Sequence, residues 1–207
     1  MSSGLTPGDG TLALLAEIGN VGAGHAATAL SVLVQDRVSI SVTETRVCSF
    51  QEIPAIVGGD EVLTAAVLLR LDGDVTGDMM FLLPVPSAKR LVERMFGGAA
   101  ETPGEDFSEM ELSALAEAGN ILGGSYVTAV SSLTGLRLVQ SVPAVALDMA
   151  GAILGTVLTD TGQTADYAVV IRTSIRQGGA DVDGHLFLLP DPPSVQTLFG
   201  ALGWTYG

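Results

Sequence analysis

The chain has 207 residues, is 47% hydrophobic, and carries 23 acidic against 9 basic residues for a net charge of −14. That length and apolar content allow a normal buried core, in one domain or in two small ones, and the acidic balance argues against nucleic acid or anionic lipid as partners, since both need a basic face. The single cysteine, Cys48, rules out an internal disulfide framework and suits a reducing cytosol, while His25 and His185 stand far apart and form no zinc-ligand cluster.

The first ten residues are a polar tail without the basic and apolar regions of a signal peptide. Asp9 or Thr11 can cap a helix that runs to Val34. The segment from Leu12 to Val34 is long enough to cross a membrane, but Glu17, Asn20, Gly22, Gly24 and His25 make a poor lipid-facing surface. A strand pattern follows from Arg37 to Val47. Next comes a hairpin pattern, Glu61–Leu71 and Gly77–Leu83, turning through Asp72, Gly73 and Asp74, and then a helix from Ser87 to Phe96 that stops at Gly97. Residues 98–106 read as a linker. Ser108 and Glu111 have the spacing of a capping box and predict a second long helix. Strand patterns recur over Arg137–Leu147, Tyr167–Ile175 and Gly184–Leu189, with a turn at Gly178-Gly179, before a last helix from Ser194 to Leu202.

Adding one hundred to a residue number carries the first long helix and strand onto the second without a gap. Leu15, Ala16, Glu17, Gly19, Asn20, Gly24 and Thr28 recur as Leu115, Ala116, Glu117, Gly119, Asn120, Gly124 and Thr128, which marks a tandem duplication. Phe81-Leu82-Leu83-Pro84 is echoed by Phe187-Leu188-Leu189-Pro190. At helical periodicity Ser113, Glu117, Asn120 and Gly124 form one stripe, with Leu115, Ala118, Leu122, Tyr126 and Ala129 roughly opposite as the core side. Glu117 is the only charge from Leu112 to Leu136, and Glu17 the only one between Thr11 and Val34. A polar stripe with so little charge reads as a surface to be covered by a partner.

Ser113, Glu117, Asn120 and Pro143 together form the pattern Asp/Ser-x3-Glu-x2-Asn followed, after twenty-two residues, by Pro, which resembles the signature of the CheC/CheX/FliY phosphatases of chemotaxis. The first copy keeps Glu17 and Asn20 but has Ala13 and Thr43 at the other two positions. The resemblance covers nearly the whole chain and is similar to CheC in its two motif copies. It implies an α+β fold, a tandem pseudo-two-fold repeat whose strands join in a single mixed or antiparallel sheet with the long helices carrying the sites. It also implies one domain over residues 1–207, built from repeats at about 9–98 and 107–207.

Glutamate and asparagine alone supply neither nucleophile nor metal, so they suit a reaction whose other parts arrive with the substrate. The glycines around Asn20 lack the spacing and lysine of a nucleotide loop and serve better for close approach. The resemblance implies a phosphorylated CheY-type response regulator, which brings its aspartyl phosphate, its Mg²⁺ and a lysine. Asn120 and Asn20 are then the groups that place the attacking water, and Glu117 and Glu17 pair with the regulator's lysine. Ser113 supports the site and Pro143 shapes the neighbouring loop. No cofactor belongs to the chain itself. The alternative is a non-catalytic adaptor resembling FliM or CheC that binds CheY or CheD, disfavoured by the intact Glu117 and Asn120. The expected setting is the cytoplasm. Many acids with a single lysine, Lys89, point to a halophilic archaeon, a GC-rich genome being the other explanation.

Overall fold

Capping chemistry and apolar periodicity set the elements, and in the structure, a computed structural model, they are described for residues 9–98, 104, 106–161, 167–177 and 180–203. The chain runs α1 (Asp9–Val34), β1 (Ser39–Ser49), a 3-10 turn (Phe50–Glu52) leading into α2 (Ile53–Ile56), β2 (Leu63–Gly73), β3 (Gly77–Pro84) and α3 (Val85–Met95). It continues with α4 (Glu109–Thr134), β4 (Leu138–Gln140), β5 (Ala144–Met149), α5 (Ala150–Thr161), β6 (Tyr167–Gln177), β7 (Ala180–Pro190) and α6 (Pro192–Ala201). The predicted turn at residues 178–179, the polar tail over 1–8 and most of the predicted linker lie outside the described residues.

The capping box opens α4 as expected. The Glu111 amide donates to Ser108 Oγ at 3.2 Å and the Ser108 amide to Glu111 Oε2 at 2.8 Å. Glu111 is fully buried, and its carboxylate also receives Lys89 Nζ at 3.2 Å, with that ammonium 4.2 Å from the centre of the Phe107 ring. Thr11, the residue equivalent to Glu111 and one of the two caps suggested with Asp9, sits inside α1 with its hydroxyl buried and without a hydrogen-bond partner among the described residues, so it does not cap the helix. Gly135 closes α4 in the left-handed region at φ 75°; the equivalent Gln35 follows α1 at φ 53°, the one non-glycine residue at positive φ among the described residues.

The seven described strands form one antiparallel sheet in the order β1-β6-β7-β3-β2-β4, with β5 also on β2. Each repeat therefore lends its first strand to the hairpin of the other, and a pseudo-two-fold axis passes between β3 and β7. The registers obey it: Ile40 lies opposite Ile175 as Gln140 lies opposite Leu71, and Glu44 opposite Arg172 as Ala144 opposite Leu68.

One face of the sheet is covered by α1, α3, α4 and α6, through Leu15, Leu30, Leu122, Tyr126 and Phe199 against Val67, Leu69, Phe81, Ile171 and Leu186. The other face is covered by α2 and α5, through Ile53, Ile153 and Leu154 against Ala66, Met80, Leu82, Val170 and Phe187. The sequence reading placed neither of these two helices. The four residues of α2 are too few to show a period, and α5 is apolar without a clear stripe. Across the α1–α4 contact, a side chain at Gly22 would meet the Tyr126 ring at 2.3 Å. Their counterparts are Leu122 and Ala26, so the two repeats exchange a small–large pair and keep the volume of the contact.

The echoed Phe-Leu-Leu-Pro runs are not structural equivalents. Val67 pairs with Phe81, and the residue equivalent to Val67, Ile171, pairs with Leu186. Phe81 thus corresponds to Leu186, and Phe187 is shifted by one residue. In a strand one residue reverses the face, and Phe81 enters the core under α1 and α4 while Phe187 enters the core under α2 and α5.

Candidate active site

Helical geometry puts Glu117 and Asn120 one turn apart on the outer face of α4, and Glu17 and Asn20 likewise on α1. Leu115, Ala118, Leu122, Tyr126 and Ala129 are all buried, as the opposite stripe requires, while Ser113, Glu117 and Thr128 are exposed. Neither Glu17 nor Glu117 forms an ion pair among the described residues. Each is the one charge in its stretch of helix, Glu17 between Thr11 and Val34 and Glu117 from Leu112 to Leu136, so each carboxylate is set among uncharged side chains. The helix is seated closely on the sheet beneath: a Cβ on Gly119 would stand 2.4 Å from Val67 Cγ1. His25 is exposed on α1.

The two carboxamides differ in their surroundings. Asn20 is exposed, and its side chain forms no hydrogen bond among the described residues. Asn120 is half-buried, and Gln140 Nε2 on β4 donates to its Oδ1 at 2.8 Å and to its backbone carbonyl at 3.1 Å. Gln140 was not among the residues expected from the sequence. The available signal was a polar residue on the core-facing side of a strand where the other repeat has Ile40.

Ser113 spends its hydroxyl on its own helix, donating to the Glu109 carbonyl at 2.9 Å, and makes no bond to Glu117 or Asn120. Pro143 stands between β4 and β5. From Gln140 to Ala144 the chain advances by four residues while the paired strand moves only from Leu71 to Leu68, so one residue is extra. The first repeat slips by one at the same place, between Val42 and Glu44. A bulged residue needs no ladder N–H, which is why proline is tolerated there and why Thr43 serves the same backbone geometry. Ser141 pins the bulge through its amide to the Arg70 carbonyl at 2.8 Å and by accepting the Arg70 amide at 3.0 Å.

A cavity of about 640 Å³ lies on the other side of the sheet, lined by Leu68, Arg70, Asp78, Ser141, Val157 and Asp191. Arg70 is held there by both carboxylates. Burial pushes the Asp78 carboxyl up, and Arg70 opposes that shift. None of the motif residues lines the cavity, so the Glu/Asn surface is a convex helix face rather than a pocket. Among the described residues no group of three or more His, Cys, Asp or Glu side chains is placed to hold a metal, and no helix is long and apolar enough to cross a membrane.

The model of the CheC-like family matches residues 11–42 and 110–147, the two helix-and-strand segments just described. Over 195 residues the chain is 40% identical to the CheY-P phosphatase CheC of Bacillus subtilis, covering 92% of each sequence. The chain belongs to the CheC-like family. Among solved structures, FliY of Thermotoga maritima superimposes with a TM-score of 0.73 at 20% identity, covering 96% of this chain and 98% of that one. CheX of Borrelia burgdorferi, solved as a CheX–CheY–BeF3–Mg²⁺ complex, gives a TM-score of 0.51 at 14% identity over 85% of this chain and 99% of the other. These likenesses confirm the α+β fold. The pattern set out from the sequence lies on α4 and the β4–β5 bulge at Ser113, Glu117, Asn120 and Pro143, and on α1 at Glu17 and Asn20.

Proposed function

We infer that this chain dephosphorylates the aspartyl phosphate of a CheY-type response regulator, the activity named for its Bacillus subtilis relative. The observation that carries the mechanism is the pairing, on each long helix, of an unpartnered carboxylate with a carboxamide one turn away on a convex face that holds little other charge. Such a face can enter a partner's site. The regulator supplies the phosphorylated aspartate and Mg²⁺, and the latter is therefore part of the substrate; the Borrelia burgdorferi CheX complex with CheY likewise contains BeF3 and Mg²⁺.

Glu117, or Glu17, pairs with the regulator's lysine and fixes the approach. The carboxamide of Asn120, or Asn20, holds one water in line with the scissile bond, using an acceptor and a donor. The water oxygen forms the new bond to phosphorus as the bond to the aspartyl oxygen breaks, leaving a carboxylate and inorganic phosphate. Little covalent chemistry is asked of the protein, so positioning supplies the acceleration. Ser113 contributes by holding the first turns of α4, and Pro143 by keeping the bulge in one conformation.

Release of phosphate from a phosphorylated CheY-type regulator, with and without the chain, tests the reading: faster release is expected, and an unchanged rate contradicts it. The exchange of first strands between repeats supports treating the chain as one domain. The free Cys48, buried and with its thiol pushed up to about 11 by burial, suits a cytoplasmic setting. The family resemblance adds a CheD-type partner, checked by co-elution on mixing. The acid-rich, lysine-poor composition supports a halophilic origin. Thermal unfolding should then shift upward between low and molar KCl as self-repulsion is screened, and no shift counts against that origin.

A further inference from the structure

We propose that Gln140 is a positioning residue that orients the Asn120 carboxamide for catalysis, and that its absence from the first repeat makes the α1 site the slower of the two. The inference rests on Asn120 as the water-placing group. A backbone carbonyl can only accept, so the bond of 3.1 Å to the Asn120 carbonyl fixes the Gln140 end that faces α4 as its Nε2. The same nitrogen meets the Asn120 side chain at 2.8 Å, which fixes the facing atom there as Oδ1. One orientation of the asparagine is thereby selected. Its Nδ2 and the second lone pair of Oδ1 are left for the substrate, one donor and one acceptor, which is what holding a water requires.

The site is built to admit this side chain. A Cβ on Gly123 would clash first with Leu69 Cδ1 and stand 2.8 Å from Gln140 Oε1, and one on Gly124 would stand 3.7 Å from Nε2, so a larger residue at position 123 would displace both Leu69 and Gln140. The bulge at Pro143 and the Ser141–Arg70 bonds hold β4 in the register that aims Gln140 at α4. In the first repeat the equivalent positions are Ala23 and Ile40, and Ile40 packs on the core. Where the glutamine is absent position 23 is alanine, while Gly24 is kept.

Gln140 is a poor choice for stability. Its Oε1 is buried with no hydrogen-bond partner among the described residues, and a buried unpaired acceptor is costly. An isoleucine, as at position 40, removes that cost. Its retention in the site with the complete motif is explained by the orientation it imposes on Asn120.

The test uses the full-length chain in an Asn20→Ala background, which isolates the α4 site. Gln140→Ile is expected to leave the melting temperature unchanged or higher and KM for the phosphorylated regulator within about twofold, while kcat falls by roughly 10- to 100-fold, the penalty of a misplaced reacting group. A merely structural glutamine would lower the melting temperature and spare kcat in the folded fraction. Gln140→Glu, which can only accept, reverses the orientation of Asn120 and is expected to lower kcat similarly. If kcat of the folded Gln140→Ile protein stays within twofold of the background, the proposal is overturned. Should that variant fail to fold, the transplant Ala23→Gly with Ile40→Gln, in an Asn120→Ala background, decides: a severalfold gain in kcat supports the proposal and no gain overturns it. Failure of the underlying reading looks different, because Asn20→Ala with Asn120→Ala would then remain as active as Asn20→Ala alone.

Discussion

The two long helices carry the same glutamate and asparagine at the same spacing, yet they sit in different surroundings. On α4 the start is tied down by a buried Glu111–Lys89 pair, the end by a left-handed glycine, and the asparagine by Gln140. On α1 the corresponding places hold Thr11, whose hydroxyl has no partner among the described residues, Gln35 in a strained φ, and an exposed Asn20. Duplication thus kept the chemical groups in both copies, while the supports that hold them in place are concentrated in the second. A water-positioning catalyst depends on geometry, so the supports bear on rate as directly as the motif residues do.

The largest effect should come from breaking the chemistry. With both Asn20 and Asn120 changed to Ala, dephosphorylation of a CheY-type regulator should slow by about 10²-fold or more, to the regulator's own rate, since one lost catalytic hydrogen-bonding group has that typical cost. Asn120→Ala alone should remove most of the activity and Asn20→Ala the smaller share, measured by phosphate release at matched folded concentration. Equal losses from the two single variants would refute the ranking of the sites.

Next is the buried pair. Lys89→Met leaves the Glu111 carboxylate, fully buried, without its ammonium, and should cost about 3–5 kcal/mol in denaturant unfolding. Thr11→Val, at the equivalent position of α1, removes an unpaired hydroxyl and should change stability by less than about 1 kcal/mol.

Histidine 185 sharpens the comparison at the level of the hairpins, because its counterpart across the pseudo-two-fold axis is the buried Met80. His185 is buried on β7, accepts Arg172 Nε at 3.1 Å, and stacks on Phe187. Burial, reinforced by the Arg172 charge and only partly offset by Asp183 and Glu44, lowers its pKa from the ordinary 6.5 to about 4. Above pH 6.5 the residue is neutral in both states and its contribution is fully present. As pH falls below 6.5 the unfolded chain takes up the proton first, and stability is lost until the folded state also titrates near pH 4. The loss should total roughly 3 kcal/mol. Denaturant midpoints between pH 7 and 4 should show that decline, and His185→Met should flatten it.

The smallest effect is at the helix ends. Gln35→Gly should stabilise the chain by about 1 kcal/mol, because glycine adopts positive φ without the Cβ penalty, and Gly135→Ala should cost a similar amount. Thermal melts of the two variants should shift by a few degrees in opposite directions.

What the amino-acid sequence determined by itself was local. The capping box at Ser108 and Glu111, the buried stripe from Leu115 to Ala129, the outward Glu117 with Asn120 one turn away, and the duplication at an offset of one hundred were all legible, because each follows from helical period and near-neighbour chemistry. The strand segments were legible to within a few residues for the same reason. Only the tertiary structure decided that β1 pairs with the other repeat's hairpin, that α2 and α5 cover the second face, and that the echoed Phe81 and Phe187 point to opposite cores. It alone brought Gln140 against Asn120, twenty residues away, and explained Pro143 as the extra residue of a bulge that Thr43 also occupies. Strand order, register and cross-element hydrogen bonds depend on which distant surfaces are buried together, and a one-residue slip that barely alters the sequence pattern reverses every side chain on a strand.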